Sequence, residues 1–126
     1  KHIIHTVGPI ANGAVTDKLR EQLASSYRSC LDATVEAGDR SIAFCCISTG
    51  VFGFPAEEAA KIAVATVRKW LDEHEAESLK NTPSESPAST NATVNTTALS
   101  SSPLPAVVIN VFLDSDEEIY KKLLGF

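Results

Sequence analysis

Apolar positions first come as a short β-branched run, His2 to Val7, stopped by Gly8-Pro9, a pattern that predicts a strand running into a loop. From Thr16 the spacing lengthens. Leu19, Leu23, Tyr27, Cys30/Leu31 and Thr34 recur every three to four residues, which predicts an amphipathic helix with Asp17 in its first turn and Gly38 at its end. Ser41 to Ile47, "SIAFCCI", is apolar at both alternations and predicts a central strand covered on each side. After a glycine-punctuated loop, Pro55 suits a first helical position. Glu57 and Glu58 fall in the first turn, and Ala59, Ile62, Ala63, Val67, Trp70 and Leu71 line one face. A last buried strand is expected over Ala106 to Phe112. Ser115 to Glu118 reads as a capping box opening a helix through Ile119, Tyr120, Leu123 and Leu124, with Asp114 as a cap.

Between residues 77 and 105 the periodicity disappears. About two-thirds of the residues there are Ser, Thr, Asn or Pro, too few apolar groups to offset the entropy of ordering, so a disordered insertion is expected. Asn91-Ala-Thr93 and Asn95-Thr-Thr97 match the glycosylation pattern, and with no secretory signal at the start of the chain they are read as chance matches. Folded sequence is therefore assigned to 1–76 and 106–126. Strand, helix, strand, helix, insertion, strand, helix is the order of a three-layer α/β domain with a largely parallel sheet. Because the chain opens directly on a strand, it is expected to be the later part of a longer domain.

Composition narrows the chemistry. With 126 residues the chain is one domain at most, and 44% hydrophobic and 21% charged residues are ordinary for a water-soluble protein. No run of apolar residues is long enough for a membrane span. The net charge of −5 and the absence of a basic patch argue against nucleic acid held through many phosphates, but not against one or two phosphates held by backbone N–H groups. Cys30, Cys45 and Cys46 cannot close a disulfide framework and are expected to be small buried residues of a reducing compartment. His2 and His5, three apart on a strand, face opposite sides, which disfavours a shared metal.

The stretch "CCISTGVFGFP", Cys45 to Pro55, carries the strongest chemical signal. It leaves a strand and enters a helix, the position at which open α/β sheets collect ligands. Gly50 and Gly53 let the backbone approach closely, and consecutive N–H groups beside a helix N-terminus form an anion nest suited to a diphosphate. The alternative is a tight strand-to-helix turn with Phe52 and Phe54 simply packed. No P-loop or Rossmann fingerprint is present. Ser48 lacks a Gly-x-Ser-x-Gly frame, and Cys46 lacks the arginine a cysteine phosphatase needs, so no nucleophile is assigned. Phe112 ends the last strand on the same edge and has two readings, a ring that stacks on a flat ligand or an ordinary core aromatic.

Taken together, "HIIHTVGP", "YRSCL", "SIAFCCISTGVFGFP" with its "EEAAKIAVATV" helix, and "VINVF" resemble the macro domain family, which binds ADP-ribose. Within it the chain looks like the protein ADP-ribosyl hydrolases, including zinc-using microbial and fungal members, many of which carry His at the position of Gly53. The resemblance implies that the backbone of Ser48, Thr49, Gly50, Val51, Phe52, Gly53 and Phe54 wraps the diphosphate. It also implies that Phe52 and Phe54 border the distal ribose, that Phe112 packs on adenine, and that Ile47 lines the cleft.

The same resemblance implies that this is the C-terminal portion of the fold. The upstream half would carry the adenine-reading aspartate, the catalytic loop and any zinc ligands, and a further strand would lie between the strands at His2 and Ser41. No catalytic or metal residue is therefore assigned, and no cofactor is evident, with zinc left open for a longer protein. Three functions are carried forward: part of an ADP-ribosyl hydrolase, a non-catalytic ADP-ribose reader, or an inactive fragment. The expected partner is ADP-ribose or an ADP-ribosylated protein, met by a monomer in the cytoplasm or nucleus.

Overall fold

The computed structural model describes residues 1–80 and 104–126. Its elements are helix α1 (Asp17–Glu36), strand β1 (Ser41–Phe44), helix α2 (Ala56–Lys80), strand β2 (Ala106–Ile109) and helix α3 (Asp114–Leu124). β1 and β2 pair in parallel, Ser41 opposite Ala106 through Phe44 opposite Ile109. α2 is thus the crossover of a βαβ unit, as parallel pairing requires.

Local chemistry sets the helix ends. Thr16 Oγ1 accepts from Leu19 N–H at 3.3 Å and opens α1, while Gly38, at φ +74°, takes the left-handed position just beyond Ala37. The stripe on α1 is buried as its spacing predicts, through Leu23, Tyr27, Cys30, Leu31 and Thr34. It meets α2, where Trp70 is fully buried and donates from Nε1 to Asp32 Oδ1 at 2.7 Å. Arg20–Glu58 and Arg28–Glu73 pairs tie the two helices along their exposed sides. Tyr27 carries the same core onto β1, its ring tilted against Phe44 at 5.0 Å between centroids.

Several boundaries depart from the sequence pattern. The run His2 to Val7 makes no sheet ladder, because no strand lies beside it among the described residues. It is held instead at its end, where Ser26 Oγ donates to Val7 C=O at 3.3 Å, and by His2 Nδ1 against Asp39 at 2.7 Å. A groove of about 360 Å³ separates it from β1, between Ile3, Ile4 and Thr6 on one side and Ile42, Ala43 and Phe44 on the other. The resemblance puts its further strand in this position.

Both predicted strands pair over only their first four residues, and both are half-exposed rather than covered on each face. Apolar composition recorded the capacity to be buried, whereas pairing needs a neighbour. α2 continues four residues past 76 to Lys80, and Leu104 and Pro105 pack against the body, so the predicted insertion is narrower at both ends. The remainder of it, including Asn91 and Asn95, lies outside the described residues.

The helix starts also shift by a residue or two. Pro55 precedes α2, its carbonyl accepting from Ala59 N–H at 2.9 Å, rather than occupying the first helical position. Leu113, not Asp114 or Ser115, caps α3 and does so without a side-chain bond; Asp114, Asp116 and Glu117 then fill the first turn, where the helix dipole favours carboxylates.

Candidate functional site

The loop between β1 and α2 is tied from below. Tyr27 reaches up from α1, and its hydroxyl accepts from Ile47 N–H at 3.3 Å while facing Cys45 C=O at 3.5 Å. Inside the loop Thr49 Oγ1 donates to Cys46 C=O at 3.1 Å, Gly53 N–H to Gly50 C=O at 3.0 Å, and Phe54 N–H to Ser48 C=O at 2.9 Å. Closing so tight a turn requires left-handed backbone at Ser48 (φ +68°) and at Gly53 (φ +68°).

These internal bonds consume the N–H groups of residues 47, 53 and 54. Among the described residues, the N–H groups of Ser48, Thr49, Gly50, Val51 and Phe52 donate to no protein acceptor. A run of consecutive donors with no internal partner, beside the start of α2, has the chemistry that can hold an anion. The first-turn carboxylates of α2 are already engaged, Glu57 by Lys61 at 2.8 Å and Glu58 by Arg20 at 2.5 Å.

The expected site residues separate into two groups. Gly50 and Val51 stand open at the tip, Val51 98% exposed, and Thr49, Phe52 and Gly53 are partly exposed. Phe54 is only 2% exposed, its ring packed in the core, where it anchors the loop. Ile47 is likewise buried. Phe112 lies beyond Ile109 and is 95% exposed, which excludes the core-aromatic reading. Because β1 and β2 are parallel and in register, Phe112 and Ile47, each three residues past the paired Ile109 and Phe44, lie at the same edge of the sheet.

A feature the sequence reading passed over lies at Ala11 to Ala14. Asn12 (φ +50°) and Gly13 (φ +83°) are the central pair of a turn closed by Ala14 N–H on Ala11 C=O at 3.0 Å. Positive φ at both central residues is the type I′ turn, and Asn-Gly is its preferred sequence, a signal legible in the chain. Ala11 and Asn12 N–H donate to Phe52 C=O at 2.8 and 3.1 Å, and Gly13 N–H donates to Gly53 C=O at 3.0 Å.

Burial pushes the Cys46 thiol up, with Asp116 adding to it, and burial likewise raises Cys30. Tyr27 is pushed up to about 12, chiefly by burial. Cys30 is buried as expected, but Cys45 is exposed, since the strand stops pairing one residue before it. Among the described residues no three His, Cys, Asp or Glu side chains converge as a metal site would require.

Among the described residues no helix is long and apolar enough to cross a membrane. Comparison with known proteins matches the macro domain family model over residues 1–63. The chain is 44% identical over 125 residues to a protein-ADP-ribose hydrolase of Treponema medium, covering 99% of this chain and 38% of that protein. It is 41% identical over 124 residues to the ADP-ribose glycohydrolase MACROD1 of Rattus norvegicus, covering 98% and 38%. The Oceanobacillus iheyensis macrodomain solved with ADP superposes with a TM-score of 0.68 at 31% identity, over 96% of this chain and 48% of that one. A Trypanosoma brucei macrodomain in complex with ADP-ribose gives 0.60 at 30% identity, over 84% and 34%. The chain thus spans about two-fifths of the length of these curated relatives, at 38% in each. With the α/β architecture, the glycine loop and the family match in agreement, the chain belongs to the macro domain family.

Proposed function

We propose that this chain supplies the diphosphate- and adenine-binding part of an ADP-ribose site, and that the complete domain removes ADP-ribose from modified proteins. The observation that carries the reading is the set of unpartnered N–H groups from Ser48 to Phe52. Each donates to a diphosphate oxygen in a charge-assisted bond, stronger than a bond between neutral groups. The exposed Phe112 ring, at the same sheet edge, packs on the adenine. Phe52, partly exposed beside these amides, borders the distal ribose.

Relatives named as hydrolases support the enzymatic half of the reading. The chemistry at the scissile bond falls to residues outside this chain, or to the substrate's own phosphate. The second reading is a module that binds ADP-ribose through these main-chain donors without cleaving it. We place the protein in the cytoplasm or nucleus as a monomer, with ADP-ribosylated proteins as its partners.

Titrating ADP-ribose into the chain while recording amide NMR spectra tests the binding site. The Gly50 and Gly53 amides are expected to move. A dispersed spectrum in which these two stay fixed at millimolar ADP-ribose refutes it. Release of ADP-ribose from a modified protein by the complete domain then separates hydrolase from reader.

A further inference from the structure

We infer that the Asn12-Gly13 turn is the positioning element of the anion loop, a role that rests on the proposed reading of that loop as a diphosphate site. The turn spends all its inward donors on the loop's carbonyls. Ala11, Asn12 and Gly13 N–H hold Phe52 and Gly53 C=O at 2.8 to 3.1 Å, across about forty residues of sequence. A peptide unit whose carbonyl is pinned has a fixed plane, and the N–H on the other side of that plane is fixed with it. The Phe52 carbonyl shares its peptide with Gly53 N–H, which closes on Gly50. Holding these two carbonyls therefore fixes the distal end of the nest, whose free donors end at Phe52.

The fit is close as well as bonded. A Cβ on Gly53 would lie 3.2 Å from Asn12 Cα and 3.3 Å from both Asn12 N and Gly13 N, all of them backbone atoms that cannot swing aside. Two left-handed residues in succession are needed to aim three donors the same way, and Asn12 achieves this with the side-chain type that tolerates φ of +50° best after glycine. Asn12 itself is exposed and its side chain holds nothing in the core. Its value to the molecule is conformational.

The test is a trio of changes at the turn. Asn12→Val puts a β-branched residue at positive φ, a conformation it strongly disfavours, and Asn12→Gly keeps the turn. Gly13→Ala, where a Cβ meets nothing within 4 Å, strains the backbone at φ +83° without a clash and serves if Asn12→Val does not fold. ADP-ribose affinity is measured by calorimetry well below each variant's melting temperature, and ligand-free amide shifts of Gly50 and Gly53 are recorded beside it.

Asn12→Val is expected to bind ADP-ribose about ten-fold more weakly, with both glycine amides displaced before ligand is added, while Asn12→Gly binds as the parent does. Gly13→Ala follows Asn12→Val in direction. Unchanged affinity and unchanged glycine amides in Asn12→Val or Gly13→Ala, with only the melting temperature lowered, would show a merely structural turn and overturn the inference. If the parent chain binds no ADP-ribose, the ligand reading fails by itself, and the ligand-free shifts still decide whether the turn sets the loop.

Discussion

Replacing Tyr27 by Phe removes the hydroxyl that links the helical core to the loop. The hydroxyl accepts from Ile47 N–H at 3.3 Å, and that N–H is buried. Removing the oxygen leaves the ring free to keep its 5.0 Å tilted contact with Phe44, so the packing contribution of the aromatic is retained. What changes is a buried Ile47 N–H left with no acceptor, which costs about 1–3 kcal/mol, together with the hydroxyl's bond to Tyr120. The observed bond is long, and the second contact, to Cys45 C=O at 3.5 Å, is at the limit of a hydrogen bond, so the lower half of that range applies, about 1–2 kcal/mol. For a domain of this size that loss lowers the melting temperature by roughly 5–10 °C.

Urea unfolding of the parent and of Tyr27→Phe provides the assay, with the expected result a lower midpoint at an unchanged slope. A Tyr27→Leu comparison separates the two contributions, since it also removes ring contacts and costs a further kcal/mol or more, about the range for partial loss of a core side chain. A Tyr27→Phe chain as stable as the parent, within about 0.3 kcal/mol, would show that solvent or a rotated peptide satisfies Ile47 as well as the tyrosine does. The account of Tyr27 as the anchor of the loop would then be wrong.

Phe112→Ala is expected to leave the melting temperature within about 2 °C, because the ring is 95% exposed, while weakening ADP-ribose binding by about 5- to 100-fold, the range for one lost base stack; calorimetry beside a thermal melt checks both. Gly8→Ala places a Cβ 2.1 Å from Ser48 Oγ and 2.5 Å from Ile47 Cγ2, an overpacking expected to cost about 1–3 kcal/mol in urea unfolding, partly recovered by adding Ser48→Gly. Alkaline pH supplies a third. Burial holds the Tyr27 hydroxyl protonated up to about 12 and raises Tyr120 as well, so above pH 10 the native chain binds more protons than the unfolded one. The stability these two tyrosines contribute is fully present below pH 10 and is lost as pH rises towards 12, by up to about 1.4 kcal/mol per pH unit for each proton the folded pair retains, and a flat urea midpoint across that window would contradict it.

The helices were the most legible part of the fold because their signal is internal. The apolar stripe through Leu23, Tyr27 and Leu31, and the one through Ala63, Val67 and Trp70, are consequences of a 3.6-residue period that needs no knowledge of the partner. Strand lengths were less legible for the opposite reason. Cys45 to Ile47 and Asn110 to Phe112 continue an apolar or β-favouring pattern, yet a strand exists only where a second strand supplies the ladder. The loop was found from its glycines, but composition could not say that Phe54 turns into the core while Phe52 stays partly exposed, since both flank the same glycine. Asn12-Gly13 is visible as a dipeptide, but its usual meaning is a hairpin between two strands, whereas here the turn serves a loop about forty residues away.

On the proposed reading, recognition by main-chain donors bears on where sequence can vary in this site. The N–H groups at Ser48 to Phe52 are the same whatever side chains those residues carry, so the 98% exposed Val51 contributes donor chemistry that almost any residue could supply. What cannot be varied freely is the geometry of the nest, and that is fixed by groups outside it: the Tyr27 hydroxyl at its entrance, the close packing of Gly8 on Ser48, and the Asn12-Gly13 turn on the carbonyls of Phe52 and Gly53. Each restraint acts before ligand arrives, so binding need not order the loop, and the entropy of ordering is met by folding instead. Substitutions at residues that touch no ligand atom, Asn12 among them, are therefore expected to weaken binding, as are those at Phe112, which does touch the ligand.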